Sequence, residues 1–311
     1  MKQFVNNDST ETAQLQHRVK QIRLPNDKLS KVVFTRTPEQ MWDMIEEQRD
    51  MKLAEVAIKG VKVKTTYRLE HVDGYTDMNP PDEFDRAIMG ICISAREAGM
   101  KFTTVKAIYR ALCGGKQHNA YSSAGIQARV IVSLERLAKT IIVVDMKSVC
   151  KAVKKYGNRM GKPEFTSPLL PCEIVDGTVN GQPAQIVKLP REPPLMTVAR
   201  AKEQVLTYDV SLLDIPGRNT ATNVMLKSYV LRRVLEAKAH ARNMSPKVTF
   251  TNVFEHCGLA DATRWQRQDA RKTIFAVYER LQSAGLIQSF EKEKVACADT
   301  GAEYIAITAV Y

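Results

Sequence analysis

The chain has 311 residues, 44% hydrophobic and 26% charged, with a formal net charge of +12 at pH 7. That length holds two ordinary domains with cores of their own, in the composition of a soluble globular protein. The start of the chain has no apolar run and no stretch reaches bilayer-spanning length, which speaks against secretion and membrane insertion, while the positive excess points to a polyanion, nucleic acid or an anionic membrane surface.

Residues 1–36 are polar and mixed in charge and read as a weakly ordered arm. Thr37-Pro38-Glu39-Gln40 is a capping box with proline at the first helical position, which predicts a helix to about Asp50. Two β-rich runs follow, Leu53 to Ile58 and Val61 to Val72, with Lys59-Gly60 as their turn. Asp82 then caps a helix whose apolar positions Phe84, Ile88, Ile91 and Ala95 have helical spacing and which stops at Gly99. Thr103 is the expected cap of a short helix ending at Gly114. Ser122 or Ser123 caps a third, with Ile126, Val130, Leu134 and Leu137 on one face. The β-run Thr140 to Val144 and a hairpin around Asn180-Gly181 complete a first unit over residues 37–189.

Residues 190–194 read as a linker and residues 195–311 as a second unit. A strand is expected over Val205 to Leu213. A long helix capped at Thr220 or Thr222 follows, with Val224, Leu231, Val234 and Leu235 inward. Thr251 is the expected cap of a short helix ended by Gly258, and a third helix runs from about Thr263 to Ala284, stopped by Gly285. The β-runs Leu286 to Phe290 and Tyr304 to Ala309 close the unit.

The two units share a pattern. Phe102-Thr103-Thr104-Val105, Cys113-Gly114 and Leu134-Glu135-Arg136-Leu137 recur in order as Phe250-Thr251-Asn252-Val253, Cys257-Gly258 and Tyr278-Glu279-Arg280-Leu281. Helix, short helix, long helix and β-hairpin is the plan of a helix-turn-helix with a wing. The predicted fold is therefore helix-rich α+β: two tandem winged-helix domains, the first with an enlarged basic wing.

In a helix-turn-helix the third helix enters the major groove by its N-terminal end. There the second unit carries Arg264, Gln268, Arg271 and Lys272, residue types that read guanine and adenine edges or bind phosphate. The competing account is the solvated side of an amphipathic helix. The first unit's third helix offers Ser122, Ser123, Gln127, Arg129, Ser133 and Arg136, of which Gln127 lies close to the core stripe. Between Met146 and Pro163 stand Lys147, Lys151, Lys154, Lys155, Arg159 and Lys162 with no acidic residue, a cluster suited to phosphate contacts that hold DNA without reading it.

Chemistry beyond binding finds little footing. Gly157 to Pro163 lacks the spacing and the Ser/Thr of a phosphate-binding loop. The six cysteines include no C-x-x-C pair and read as buried reduced thiols, and the five histidines form no close pair for a metal. Asp82, Glu83 and Asp85 sit where carboxylates meet a helix dipole favourably. No catalytic constellation, cofactor or metal site is expected. A nuclease-type enzyme such as a transposase or relaxase subunit would need clustered carboxylates or a histidine pair.

In this plan, from about Lys62 to Tyr311, and in Thr207 to Leu213 followed by Leu226 to Arg233, the chain resembles the replication-initiator proteins of theta-replicating plasmids and related mobile elements. The resemblance implies a non-enzymatic, cytoplasmic bacterial protein that binds repeated duplex sites at an origin, promotes melting nearby and recruits the host replicative helicase or its loader. It further implies a homodimer that represses its own promoter, a monomer that initiates, and stronger base contacts from the C-terminal winged helix. The alternative is a transcriptional regulator or partition-type adaptor built on the same two units.

Overall fold

A computed structural model of the chain describes residues 31–35, 56–58, 61–69, 81–115, 124–145, 164–201, 205–241, 244–296 and 303–311. The expected helix after Thr37 and the caps Ser122 and Ser123 lie outside them. Strands β1 (Lys31–Thr35), β2 (Val56–Ile58) and β3 (Val61–Leu69) precede helix α1 (Glu83–Glu97). Then come β4 (Phe102–Thr104), α2 (Val105–Leu112), α3 (Ala124–Lys139), β5 (Thr140–Asp145), β6 (Glu164–Pro168), β7 (Glu173–Val179) and β8 (Gln182–Lys188). The second half contains α4 (Pro194–Ala201), β9 (Val205–Asp209), a 3-10 turn (Val210–Leu213), α5 (Ala221–Ala239), β10 (Lys247–Thr249), α6 (Phe250–His256), α7 (Arg264–Ser283), β11 (Ser289–Ala296) and β12 (Glu303–Val310).

Both units repeat one topology: helix, strand, helix, helix, then two further strands. In the first the sheet order is β4-β8-β7 and in the second β10-β12-β11, so each time the short strand between the first two helices pairs with the last strand of the wing. All these ladders are antiparallel, with Thr104 opposite Ile186 and Thr249 opposite Ala306. This is the winged-helix plan, twice, in an α+β chain. The expected stripes form its core: Phe84, Ile88, Ile91 and Ala95 on α1 and Val130, Leu134 and Leu137 on α3 are buried, with Ile126 half-buried, and α7 buries Ala270, Ile274, Val277 and Leu281.

The first unit's wing holds the expected hairpin around Asn180-Gly181 but not the β-run Thr140 to Val144. Its hairpin is β7–β8, turning at Asn180 and Gly181, both of which have positive φ. Strands β5 and β6 belong instead to a separate sheet of order β2-β3-β5-β6. Leu169 N–H donates to the Thr140 carbonyl at 2.7 Å and Leu170 N–H to Leu137 at 3.2 Å, so the inserted β5–β6 pair leaves and rejoins the unit at one point. The basic stretch Met146 to Pro163, expected as an enlarged wing, falls between β5 and β6 in sequence and lies outside the described residues. The β-propensity of Thr140 to Val144 reported a strand correctly, but its partner is set by distant residues.

The repeat is real but out of register at its start. Phe102 lies in β4 opposite Lys188, whereas Phe250 is the first residue of α6 and is buried. The caps are accordingly Thr104, which accepts from Ala107 N–H at 3.0 Å, and Thr249, which accepts from Asn252 N–H at 3.3 Å; neither Thr103 nor Thr251 is a cap. Later the copies coincide. Cys113 and Cys257 each close a helix before a glycine of positive φ, and Leu134-Glu135-Arg136-Leu137 matches Tyr278-Glu279-Arg280-Leu281 in burial, residue for residue. Thr220, rather than Thr222, caps α5, and the strand expected over Val205 to Leu213 turns into the 3-10 segment at Val210.

The end of the arm is also different: β1 pairs antiparallel with β9 of the second unit, Lys31 opposite Asp209, and buries Val32. The β-branched run that begins there needs a partner to become a strand, and that partner lies over 170 positions downstream. The expected linker leads directly into α4, which begins at Pro194 and buries Leu195, Met196 and Ala199. Helix α1 packs against α5, so the two units meet through their first helices within one continuous core. A second meeting point is Gly114 against Asp214, where a Cβ would come within 2.3 Å of the Asp214 nitrogen.

Candidate nucleic-acid interface

Helix α7 is fixed at both ends by its own sequence. Thr263 accepts from Gln266 N–H at 3.3 Å, and Gln266 Oε1 accepts from Thr263 N–H at 2.8 Å, a reciprocal capping box. Ala284 and Gly285, the latter at positive φ, end the helix. The buried stripe from Ala270 to Leu281 then sets the rotation of the helix, and so determines which residues of its first half face outward.

Arg264, Gln268, Arg271 and Lys272 are all exposed, whereas Arg267 is half-buried and donates to the Ala260 carbonyl. Arg264 and Gln268 have no hydrogen-bond or ion-pair partner among the described residues. Arg271 lies over two rings of α6, 5.4 Å from the Phe250 centroid and 5.9 Å from that of Phe254. Such contacts contribute roughly 0.5–1 kcal/mol at an exposed site, enough to orient a guanidinium without removing its donors. Lys272 pairs with Asp269 at 3.0 Å, with both side chains more than 70% exposed. A pair that open is worth about 0.2–1 kcal/mol, so a phosphate competes with it readily.

Trp265, 77% exposed, stands on the same turn. It is missing from the set chosen by charge and amide chemistry. The signal was present: Trp265 lies five positions before Ala270, on the side of the helix opposite the apolar stripe. An aromatic residue there cannot belong to the core.

The first unit's third helix is used differently. Arg129 pairs with the cap residue Asp82 and lies over the Phe84 ring at 5.3 Å. Arg136 donates to Asp85 at 2.7 Å, and Ser133 donates to the same carboxylate. Burial, with Asp82 beside it, raises the Asp85 pKa to about 6 despite these donors. Gln127 is half-buried. Arg129 remains 42% exposed, and the other exposed positions in the first half of the helix, Ala124, Gly125, Ala128 and Val132, are small or apolar, so α3 holds Arg129 and Arg136 against acids at the start of α1 where Arg264 on α7 faces solvent.

Ser122, Ser123, Lys147, Lys151, Lys154, Lys155, Arg159 and Lys162 lie outside the described residues. Among the described residues no group of three or more His, Cys, Asp or Glu side chains is placed to hold a metal ion, and no helix is long and apolar enough to cross a membrane. Cys92, Cys113 and Cys257 are buried and Cys172 is half-buried, and none of the four is in a disulfide. Burial raises the pKa of Cys92 well above its ordinary value and that of Cys172 to about 12, the direction of an inert thiol.

No family model matches the chain, and no curated protein matches it. Among solved structures, the crystal structure of selenomethionine derivatives of domains 2 and 3 of RctB is similar over 94% of this chain and 95% of that one, at 11% identity and a TM-score of 0.35. At that level of superposition the fold assignment rests on the strand order and register above.

Proposed function

We propose that this chain binds double-stranded DNA, with the N-terminal half of α7 in the major groove and Arg264, Gln268 and Arg271 at base edges. The observation that carries this reading is the exposed face of α7, whose rotation is fixed by its buried stripe and whose polar groups are left open to a ligand. The net charge of +12 supports a polyanionic partner, and the third helix of a winged-helix unit is the element that enters the groove. Lys272 serves a phosphate. The first unit contributes through the basic stretch Lys147 to Lys162 rather than through α3, whose arginines serve α1.

Within this reading the chain acts as a binder, not an enzyme, and its role is that of a replication initiator at repeated origin sites of a plasmid or mobile element. The plan of two tandem winged helices and the basic composition support the initiator role. Selection of bound fragments from random and source genomic DNA tests both levels. Enrichment of one motif, recurring as direct repeats beside an AT-rich stretch in the source DNA, is the expected result. A single inverted repeat at a promoter would favour a repressor, and failure to retain any fragment at low salt would overturn the DNA reading itself.

A further inference from the structure

The second unit places a large apolar ring where a folded protein has no internal use for one. Trp265 is the most exposed large hydrophobic side chain among the described residues, at 77%, against 51% for Val132 and 40% for Val310. It takes no part in the cap, which is completed by Thr263 and Gln266 on either side. It takes no part in the core, because the apolar stripe runs along the opposite side of the helix. An indole carries roughly 150–250 Å² of mostly apolar surface, and leaving that surface in water has a free-energy cost that the fold does not recover.

The surroundings of the ring narrow its partner. Arg264 precedes it, Gln268 and Asp269 are one turn on, and Lys272, paired with Asp269, is two turns on along the same side. A lone aromatic anchor beside arginine and glutamine has the composition of an interface hot spot, and with Lys272 offsetting Asp269 the uncompensated charge of Arg264 suits an anionic partner. In duplex DNA the major groove offers one kind of apolar group, the C5-methyl of thymine.

Resting on the DNA-binding reading above, we infer that Trp265 is a base contact, its indole covering thymine C5-methyl groups beside the bases read by Arg264 and Gln268. The chain thus discriminates thymine at that position through shape and apolar surface, where its charged neighbours discriminate by hydrogen bonds.

The test uses the full chain and duplex fragments enriched from a random-sequence library. Each thymine of the enriched motif is replaced in turn by deoxyuridine, which keeps the pairing edge and removes only the methyl. The expected result is a loss of about fourfold in affinity for the unaltered chain at one or two positions, the worth of one buried methyl. The same replacements leave the affinity of Trp265→Ala unchanged. Trp265→Phe recovers part of the discrimination that Trp265→Ala lacks. The chain has two tryptophans, so in Trp42→Phe the emission reports Trp265 alone, and it is expected to shift on adding DNA. Tight binding that is insensitive to every thymine-to-deoxyuridine change, or equally sensitive with and without the indole, overturns the inference and leaves the DNA reading standing. No binding by the unaltered chain overturns both.

Discussion

Arg232 on α5 donates to Glu83 on α1 at 3.1 Å, and both side chains are almost wholly buried, at 4% and 2% exposure. The two units therefore meet through an ion pair sealed inside their shared core, with Arg86 also 3.4 Å from Glu83. Removing one partner strands a charge away from water, whereas removing both does not. Arg232→Ala is expected to lower unfolding free energy by about 3 kcal/mol, softened by the nearby Arg86. The joint replacement Glu83→Leu with Arg232→Leu should restore only part of that loss, because Arg86, 7% exposed, then loses the Glu83 carboxylate beside it. Urea unfolding of the two single variants and the double variant measures the coupling; additive losses would show that the pair does not act as a unit.

The Asp85 carboxyl supplies a pH signature. Its pKa rises from 3.8 to about 6 on folding, chiefly through burial. The folded chain therefore holds a proton that the unfolded chain has released between those values. This contribution to stability is fully present below about pH 4 and is lost as pH rises through about 6. The stability of the unaltered chain minus that of Asp85→Asn is expected to fall by on the order of 3 kcal/mol between pH 4 and pH 7. Denaturation midpoints across that range check the sign; a difference that rises with pH would refute it.

Two glycines separate backbone conformation from close contact. Gly114 and Gly258 both have positive φ, at +87° and +66°, but a Cβ at Gly258 meets open space and one at Gly114 overlaps Asp214. Gly258→Ala should cost about 1 kcal/mol from conformation alone. Gly114→Ala should cost clearly more, because backbone on the opposing segment must move. Equal thermal shifts in the two variants would mean that the units do not approach closely there.

For DNA binding, Arg264→Ala and Arg271→Ala are expected to weaken specific sites by roughly 1–3 kcal/mol while changing random-sequence affinity less. Arg271→Ala also removes the guanidinium from above Phe250 and Phe254, so a thermal melt must accompany the binding curve. Joint removal of Lys151, Lys154 and Lys155 should flatten the salt dependence by up to about one unit of slope for each phosphate left unneutralised, with little change in sequence preference. Equal effects of the arginine and lysine changes on specific and random DNA would end this division of roles.

Thr263→Ala tests whether the cap matters to the site. It should cost about 1 kcal/mol of stability and weaken specific binding by fraying the turn that carries Arg264 and Trp265. Circular dichroism with a binding titration measures both, and a binding loss without a stability loss would argue against the cap as its cause.

Much of this protein was legible in its sequence because the signals are local. Caps, apolar stripes at helical spacing and stopping glycines depend on residues three or four positions apart, so the course of α1, α5 and α7 followed from the residues themselves. The exposed face of α7 followed too, since burying Ala270, Ile274, Val277 and Leu281 turns Arg264 and Gln268 outward. What only the tertiary structure decided were the partnerships over long stretches of chain. The expected β7–β8 hairpin pairs with β4, the run at β5 pairs with β3 and β6, the end of the arm joins β9, and Arg129 and Arg136 bend to acids at the start of α1. A β-strand's partner and a long basic side chain's destination are chosen by burial and by charges far away in sequence. Periodicity along one segment has no access to either.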